Sequence, residues 1–379
     1  MTSQPWGWFE KEATMTSLFQ PFSLKGVTLK NRIAVSPMCQ YSANDGVVNE
    51  WHQVHLSGLA RGGSGLVIAE ATAVSPEGRI TPGCAGLWND TQAEAFARVV
   101  RAIKAAGAVP GIQIGHAGRK ASANRPWEGD DHIPEGDPRG WETIGPSAIA
   151  FGANLPRIPR AMTKADIDRV REDFVSAAKR AVAAGFEWLV LHFAHGYLAQ
   201  NFLSDHSNHR QDEYGGSFEN CSRFLIETLA AVRKVWPDHL PLTARLGVIE
   251  FDGRDQETLD QSIELIKRFK TIGLDFIDVG IGFSTPAARI PWGPAFLAPV
   301  AARVRQETGL PTATSWFISE PAQADGLIGD GKVDVVMLGR ALLANPHWPY
   351  RAARELSVDR AAWVLPAPYA HWLDRYRTA

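Results

Sequence analysis

The sequence predicts an α/β fold, a TIM-type (β/α)₈ barrel, on three observations. Short apolar runs alternate with amphipathic helical segments into the C-terminal region, the runs number about eight, and no linker rich in Ser, Gly or Pro divides the chain. The runs fall at residues 33–36, 65–71, 109–114, 187–193, 241–246, 276–279, 311–315 and 333–338. A doubly wound open sheet alternates in the same way. No G-x-G-x-x-G follows the first run, however, and that pattern is the usual nucleotide-binding mark of such a sheet.

The helices follow from their periodicity and their stops. Segment 92–106 is apolar on one face and ends at Gly107. Segment 163–184 opens on Thr163-Lys164-Ala165-Asp166, a capping pattern, and ends at Gly185. Helices at 220–235, 256–272, 294–308, 321–328 and 341–355 complete the set. Two stretches break the rhythm, 118–162 after the third strand and 196–219 after the fourth, both dense in Gly, Pro, Asp, His and Trp. Long excursions in a compact domain are usually functional. Both follow strands, so they belong to the C-terminal rim, where barrels build their active sites.

The 379 residues carry 39 Lys plus Arg against 41 Asp plus Glu and are 45% hydrophobic, an ordinary globular balance. One barrel domain is expected over 15–379, with 1–14 as a disordered extension ahead of a second Met, Met15. The near-neutral charge and the absence of a Lys/Arg block argue against nucleic acid as a partner. No apolar run approaches the roughly 20 residues that span a bilayer. The first twelve residues, with Trp6, Trp8 and two acids, do not read as a secretory signal. Three cysteines, Cys39, Cys84 and Cys221, have neither disulfide-framework nor metal-ligand spacing. A cytoplasmic protein that acts on small molecules is expected.

The chemistry-bearing residues cluster at strand ends. His192-Phe193-Ala194-His195-Gly196-Tyr197 leaves the fourth strand and brings two imidazoles and a phenol to the rim. Residues i and i+3 of a strand face opposite ways, but a turn beginning ahead of Gly196 lets both imidazoles converge. A pair of structural histidines is the plain alternative, and zinc has no third ligand of suitable spacing nearby. Ser36-Pro37-Met38-Cys39-Gln40-Tyr41 ends the first strand and adds a thiol and a second phenol, although an isolated Cys is as often inert core.

Arg245 is the one charge in the apolar strand 241–246 and needs an anion, either a buried acid or a negatively charged cofactor. Gln113 interrupts 109–114 with an amide able to pair with a heterocycle edge. Gly339-Arg340 ends the eighth strand and opens the last helix, offering backbone N–H groups and a guanidinium where barrels often hold a phosphate. A solvated Arg is the alternative there. Together these features point to a phosphate-bearing cofactor, with FMN the natural choice.

At these residues the chain resembles the Old Yellow Enzyme flavoproteins, in particular their thermophilic-like branch. The resemblance covers nearly everything from Met15 onward. It runs through Pro37-Met38-Cys39-Gln40-Tyr41, Trp51-His52-Gln53-Val54-His55, 113–120, Arg125-Pro126-Trp127-Glu128-Gly129-Asp130-Asp131-His132, 192–197 and 365–372. It implies noncovalent FMN at the rim, reduced by NADPH or NADH and reoxidised by an activated alkene. The implied activity is that of an ene-reductase on α,β-unsaturated carbonyls, with nitro compounds and other xenobiotic electrophiles as further substrates.

By the same resemblance Pro37, Met38, Cys39, Ala71, Gln113, His192 and Trp316 line the flavin, and Arg245 faces its N1 and O2 edge, where a cation favours the charge of the reduced ring. Gly339 and Arg340 hold the phosphate. His192 and His195 bond the substrate oxygen, Tyr197 protonates the α-carbon, and Tyr41, Trp316 and Trp372 shape the substrate pocket, while Cys39 tunes the flavin potential. The segment 363–376 is more aromatic than a solvated tail. In this branch it closes the pocket at a dimer contact, so a homodimer with Trp372 near the flavin is expected.

The chain departs from the resemblance after the seventh strand, reading Trp316-Phe317-Ile318-Ser319 where glycines are expected. Bulky side chains there restrict the approach of backbone to a phosphate. Two other classes compete with the leading one: a metal-dependent hydrolase or lyase using His192 and His195, and a noncatalytic barrel that has lost its flavin.

Overall fold

All eight expected runs become strands of a closed barrel: β1 (Ile33–Val35), β2 (Leu66–Ala73), β3 (Val109–Gly115), β4 (Trp188–Phe193), β5 (Leu242–Ile249), β6 (Phe276–Ile281), β7 (Thr312–Thr314) and β8 (Val335–Leu338). Each pairs in parallel with its chain neighbours, and β8 closes on β1. The computed structural model describes residues 16–376. The extension expected at 1–14 lies outside the described residues.

Alternation along each strand sorts side chains into two layers. On β4, Leu189, Leu191 and Phe193 face outward into the core shared with the helices, while Trp188 and Val190 face the barrel axis. The lower barrel interior is filled by Ala34, Leu66, Ile68, Phe276, Ala313, Val335 and Met337 around Trp188. A hairpin of Phe22–Leu24 and Val27–Leu29 closes this end, with the Phe22 ring 6.1 Å from that of Phe276. Nothing in the sequence pattern marked this hairpin, because its strands are only three residues long.

Outside run α1 (Glu50–Arg61), α2 (Asp90–Ala105), α3 (Lys164–Ala184), α4 (Phe218–Arg233), α5 (Asp255–Ile272), α6 (Ala298–Thr308), α7 (Pro321–Gly329) and α8 (Trp348–Glu355). Helix α3 has the expected start, with Thr163 Oγ1 accepting from the Asp166 N–H, and ends on Gly185 at φ 90°. Helix α1 was missed. Its cap is Asn49, and His52 Nδ1 accepts in return from the Asn49 N–H at 3.2 Å.

Two expected helices are corrected. The span 341–355 is broken into Arg340–Ala344 and α8, because Pro346 lacks an N–H and holds Asn345 extended at φ −144°. The span 294–308 becomes helical only at Ala298, since Ala295 sits at φ 50°.

The two excursions lie at the rim and are pinned by arginines donating to loop carbonyls that would otherwise go unpaired. Buried Arg119 donates to the carbonyls of Ile149, Ala150, His206 and Ser284. Arg157 reaches Ser122 Oγ and the Trp141 carbonyl, and Arg210 reaches the carbonyls of Pro146 and Met162.

Candidate active site

Two residues further up the strands, the axial layer changes from apolar to polar. Ala34 gives way to Ser36, Val190 to His192, Phe276 to Asp278, Ala313 to Ser315 and Met337 to Gly339. Strand register sets His192, Arg245 and Asp278 side by side on β4, β5 and β6. The Arg245 guanidinium lies 3.3 Å from Asp278 Oδ2 and donates to Ser315 Oγ at 2.6 Å. Burial lifts the Asp278 carboxyl to about 6 while Arg245 opposes the rise. Arg245 therefore has a buried acid, as one of its two readings required, and still faces a cavity.

That cavity, about 720 Å³, opens at the rim between β1, β7 and β8 and is lined among others by Pro37, Met38, His195, Arg245, Trp316 and Arg340. His195 follows β4 at φ 63° and Gly196 at φ 67°, the early turn that brings both imidazoles together. The rings of His192 and His195 lie 5.0 Å apart edge to face, and that of Tyr197 lies 5.0 Å from His192. His192, Tyr197 and Ala71 border a second, small pocket. The turn is clamped by Lys120, whose ammonium donates to the carbonyls of His195 at 2.9 Å and Phe283 at 2.8 Å.

After β1, Cys39 is half-buried, and Tyr41 takes φ 51° with its ring 5.8 Å from that of Trp127. Glu70 anchors this segment: one oxygen accepts from the Gln40 N–H, and the other lies 3.3 Å from His52 Nε2. Trp372 is not brought to the cavity. It sits on the helix Ala367–Leu373, 70% exposed, with the His371 ring edge to face at 5.1 Å. The expected place near the flavin is thus not reached within one protomer. The physical reason is that helix Ala367–Leu373 packs on the turn Ala361–Val364, away from the cavity lining.

A family model for the NADH:flavin oxidoreductase / NADH oxidase family matches residues 17–359. This chain belongs to that family, the Old Yellow Enzyme flavoproteins. It is 43% identical over 351 residues to an NADPH dehydrogenase of Geobacillus thermodenitrificans (strain NG80-2), covering 92% of this chain and 97% of the relative. It is 38% identical to the NADH:flavin oxidoreductase FG08077 of Gibberella zeae, covering 91% and 87%. Among solved structures, morphinone reductase aligns with TM-score 0.76 at 27% identity over 91% of each chain. A 2-naphthoyl-CoA reductase complex aligns with TM-score 0.80 at 25% identity over 93% of this chain, which spans 54% of that longer one. The protein is an FMN-dependent NADPH oxidoreductase of this family.

The rim residues of this flavoprotein fit FMN on their own chemistry. Gln113 Nε2, His192 Nδ1, His195 Nε2 and Trp316 Nε1 are buried and have no hydrogen-bond partner among the described residues, so all four are available to a ligand in the cavity. Desolvation and the Arg245 charge push both imidazoles well below their usual range, so they are neutral donors at pH 7. Burial pushes the Tyr197 phenol well above its usual range and keeps its proton. Burial and Glu70 raise the Cys39 thiol, which leaves it a poor nucleophile. The family match, rather than any feature of the two imidazoles, sets the hydrolase or lyase reading aside.

Sequence reasoning missed Glu70, Lys120 and Asp278. Glu70 and Asp278 carried the signal that exposed Arg245, a lone charge inside an apolar strand. Lys120 carried none, because its role depends on two carbonyls, of which Phe283 is 163 residues away.

Proposed function

We propose that the enzyme is an ene-reductase, using NADPH to saturate the C=C bond of α,β-unsaturated carbonyl compounds and also reducing nitro compounds. The observation that carries this reading is the three-ring cluster: two neutral imidazoles with unpaired ring nitrogens beside a phenol that retains its proton. In this reading Pro37, Met38, Cys39, Ala71, Gln113, His192, Arg245, Trp316, Gly339 and Arg340 hold FMN. Bound FMN supplies the hydride exchange with NADPH and with the alkene. His192 and His195 donate to the substrate oxygen where negative charge develops, and neutral imidazoles do so without an ionic charge to desolvate. Tyr197 delivers its proton to the α-carbon, and Tyr41 and Trp316 bound the pocket. Lys120 fixes His195 through the two carbonyls, so the donor cannot drift.

The reading extends to assembly: a homodimer in the cytoplasm, built as one barrel domain over 15–379. Exposed Trp51, Val54, Trp363, Tyr369 and Trp372 give the chain apolar surface on α1 and in the C-terminal segment, which supports a second copy as its cover. Trp372 would then serve the partner's pocket. Light scattering tests this, and a fully active monomer would refute it.

Rapid kinetics of a Tyr197→Phe variant tests the chemistry. Alkene reduction should slow by about 10²–10⁴-fold, the usual worth of a positioned general acid. Flavin reduction by NADPH should stay near the wild-type rate. Unchanged alkene turnover would remove Tyr197 from the donor role.

A further inference from the structure

The loop after β7 holds two bulky residues in the left-handed region, Trp316 at φ 78° and Phe317 at φ 53°. Side chains with a Cβ disfavour such a conformation, and here it occurs twice in succession. For Trp316 the return is visible in ring contacts with His195, Phe283 and Trp292 at 6.2, 5.8 and 5.4 Å. Phe317 is 42% exposed, so core burial is not its reason. Its carbonyl accepts from the Ala295 N–H, its ring lies 5.9 Å from that of Trp292, and the Arg340 guanidinium lies 5.0 Å from its centroid.

Arg340 itself makes no ion pair among the described residues, whereas its neighbour across the cavity, Arg245, has Asp278. It is a cation at the cavity wall, held by an aromatic face, with no anion of its own. The side chain that departs from the glycine expected at this position is the one that supplies the face.

We propose that Phe317 is a positioning residue for the FMN phosphate, holding the Arg340 guanidinium at the cavity wall by a cation–π contact. The inference rests on the FMN reading of the same cavity and adds to it how this chain replaces a glycine loop. Phe317 acts through Arg340, so its effect must be specific to ligands that carry the phosphate. Riboflavin has the same ring system and lacks that group.

The test titrates full-length protein with FMN and with riboflavin at one ionic strength, following quenching of flavin fluorescence. An exposed cation–π contact is worth about 0.5–1 kcal/mol, so Phe317→Leu and Phe317→Ala should weaken FMN by about two- to fivefold and leave riboflavin unchanged. Phe317→Tyr, which keeps the ring face, should bind FMN as the wild type does. In an Arg340→Met background Phe317→Leu should add no further loss, the mark of two residues acting as a unit. Wild-type FMN affinity in Phe317→Leu would overturn the inference, and so would an equal loss for riboflavin or an undiminished loss in the Arg340→Met background. Wild-type protein that binds neither flavin would instead overturn the cofactor reading, and this inference with it.

Discussion

The two ends of the barrel are made by the same eight strands and differ in almost every physical respect. At the lower end the axial positions are aromatic and aliphatic, Trp188 packs edge to face on Phe276 at 5.3 Å, and the hairpin shuts out water. At the upper end the next axial positions carry an imidazole, a guanidinium, a carboxyl and a hydroxyl. Five rim residues with side chains, Tyr41, His195, Phe283, Trp316 and Phe317, also take positive φ. At the upper end His192 Nδ1 and His195 Nε2 are buried without a hydrogen-bond partner among the described residues, and the apolar lower end supplies stability that tolerates them.

Substitutions at the two ends should therefore separate stability from chemistry. The largest stability effect belongs to the lower end. Trp188→Ala should cost about 3–5 kcal/mol of unfolding free energy in urea, the range for deleting a buried Trp. The folded fraction should still bind flavin. A loss of flavin binding with unchanged stability would mean that the two ends are not independent.

Arg245→Gln sharpens the comparison, because it leaves the buried Asp278 carboxyl without its cation. At pH 8 the variant should lose about 3 kcal/mol, near the lower bound for breaking a buried pair. Asp278 takes up a proton at a pH above its unfolded value of 3.8, so the folded state binds the extra proton. The variant should regain stability as pH falls, by up to about 1.4 kcal/mol per unit. A penalty that does not change with pH would show that Asp278 is not the group left exposed to the loss.

The smallest effect is a slope. The folded pKa of His192 is depressed, so below pH 6.5 the unfolded chain binds a proton that the native state refuses, and stability falls with pH. His192→Asn should flatten the descent below pH 6.5 by up to about 1.4 kcal/mol per unit, while Asp278, its carboxyl lifted to about 6, opposes the fall in variant and wild type alike. Parallel curves for the variant and the wild type would place a charged imidazole at the rim.

The same contrast explains what the sequence disclosed. The strands were legible because walls buried on both faces need unbroken apolar runs, and Arg245 and Gln113 stood out against those runs. His192, His195 and Tyr197 were legible because strand-end position and spacing put them on one turn. The clamp by Lys120 and the reach of Arg119 to His206 and Ser284 depend on carbonyls far away in the chain, which leave no local pattern. Trp372 could be recognised as belonging to an aromatic tail, but its place depends on how the terminal helix docks. The left-handed Phe317 ran against its own propensity, and its contacts with Ala295, Trp292 and Arg340 come from other stretches of the chain.

In the ene-reductase reading this rim serves both an NADPH half-reaction and an alkene half-reaction. An anaerobic visible spectrum of the purified enzyme, taken before NADPH, after it, and after 2-cyclohexenone, tests it most directly. An oxidised flavin spectrum should bleach with NADPH and return in full with the enone. A flavin that bleaches and stays bleached in the enone would contradict the ene-reductase reading while leaving the NADPH oxidoreductase in place.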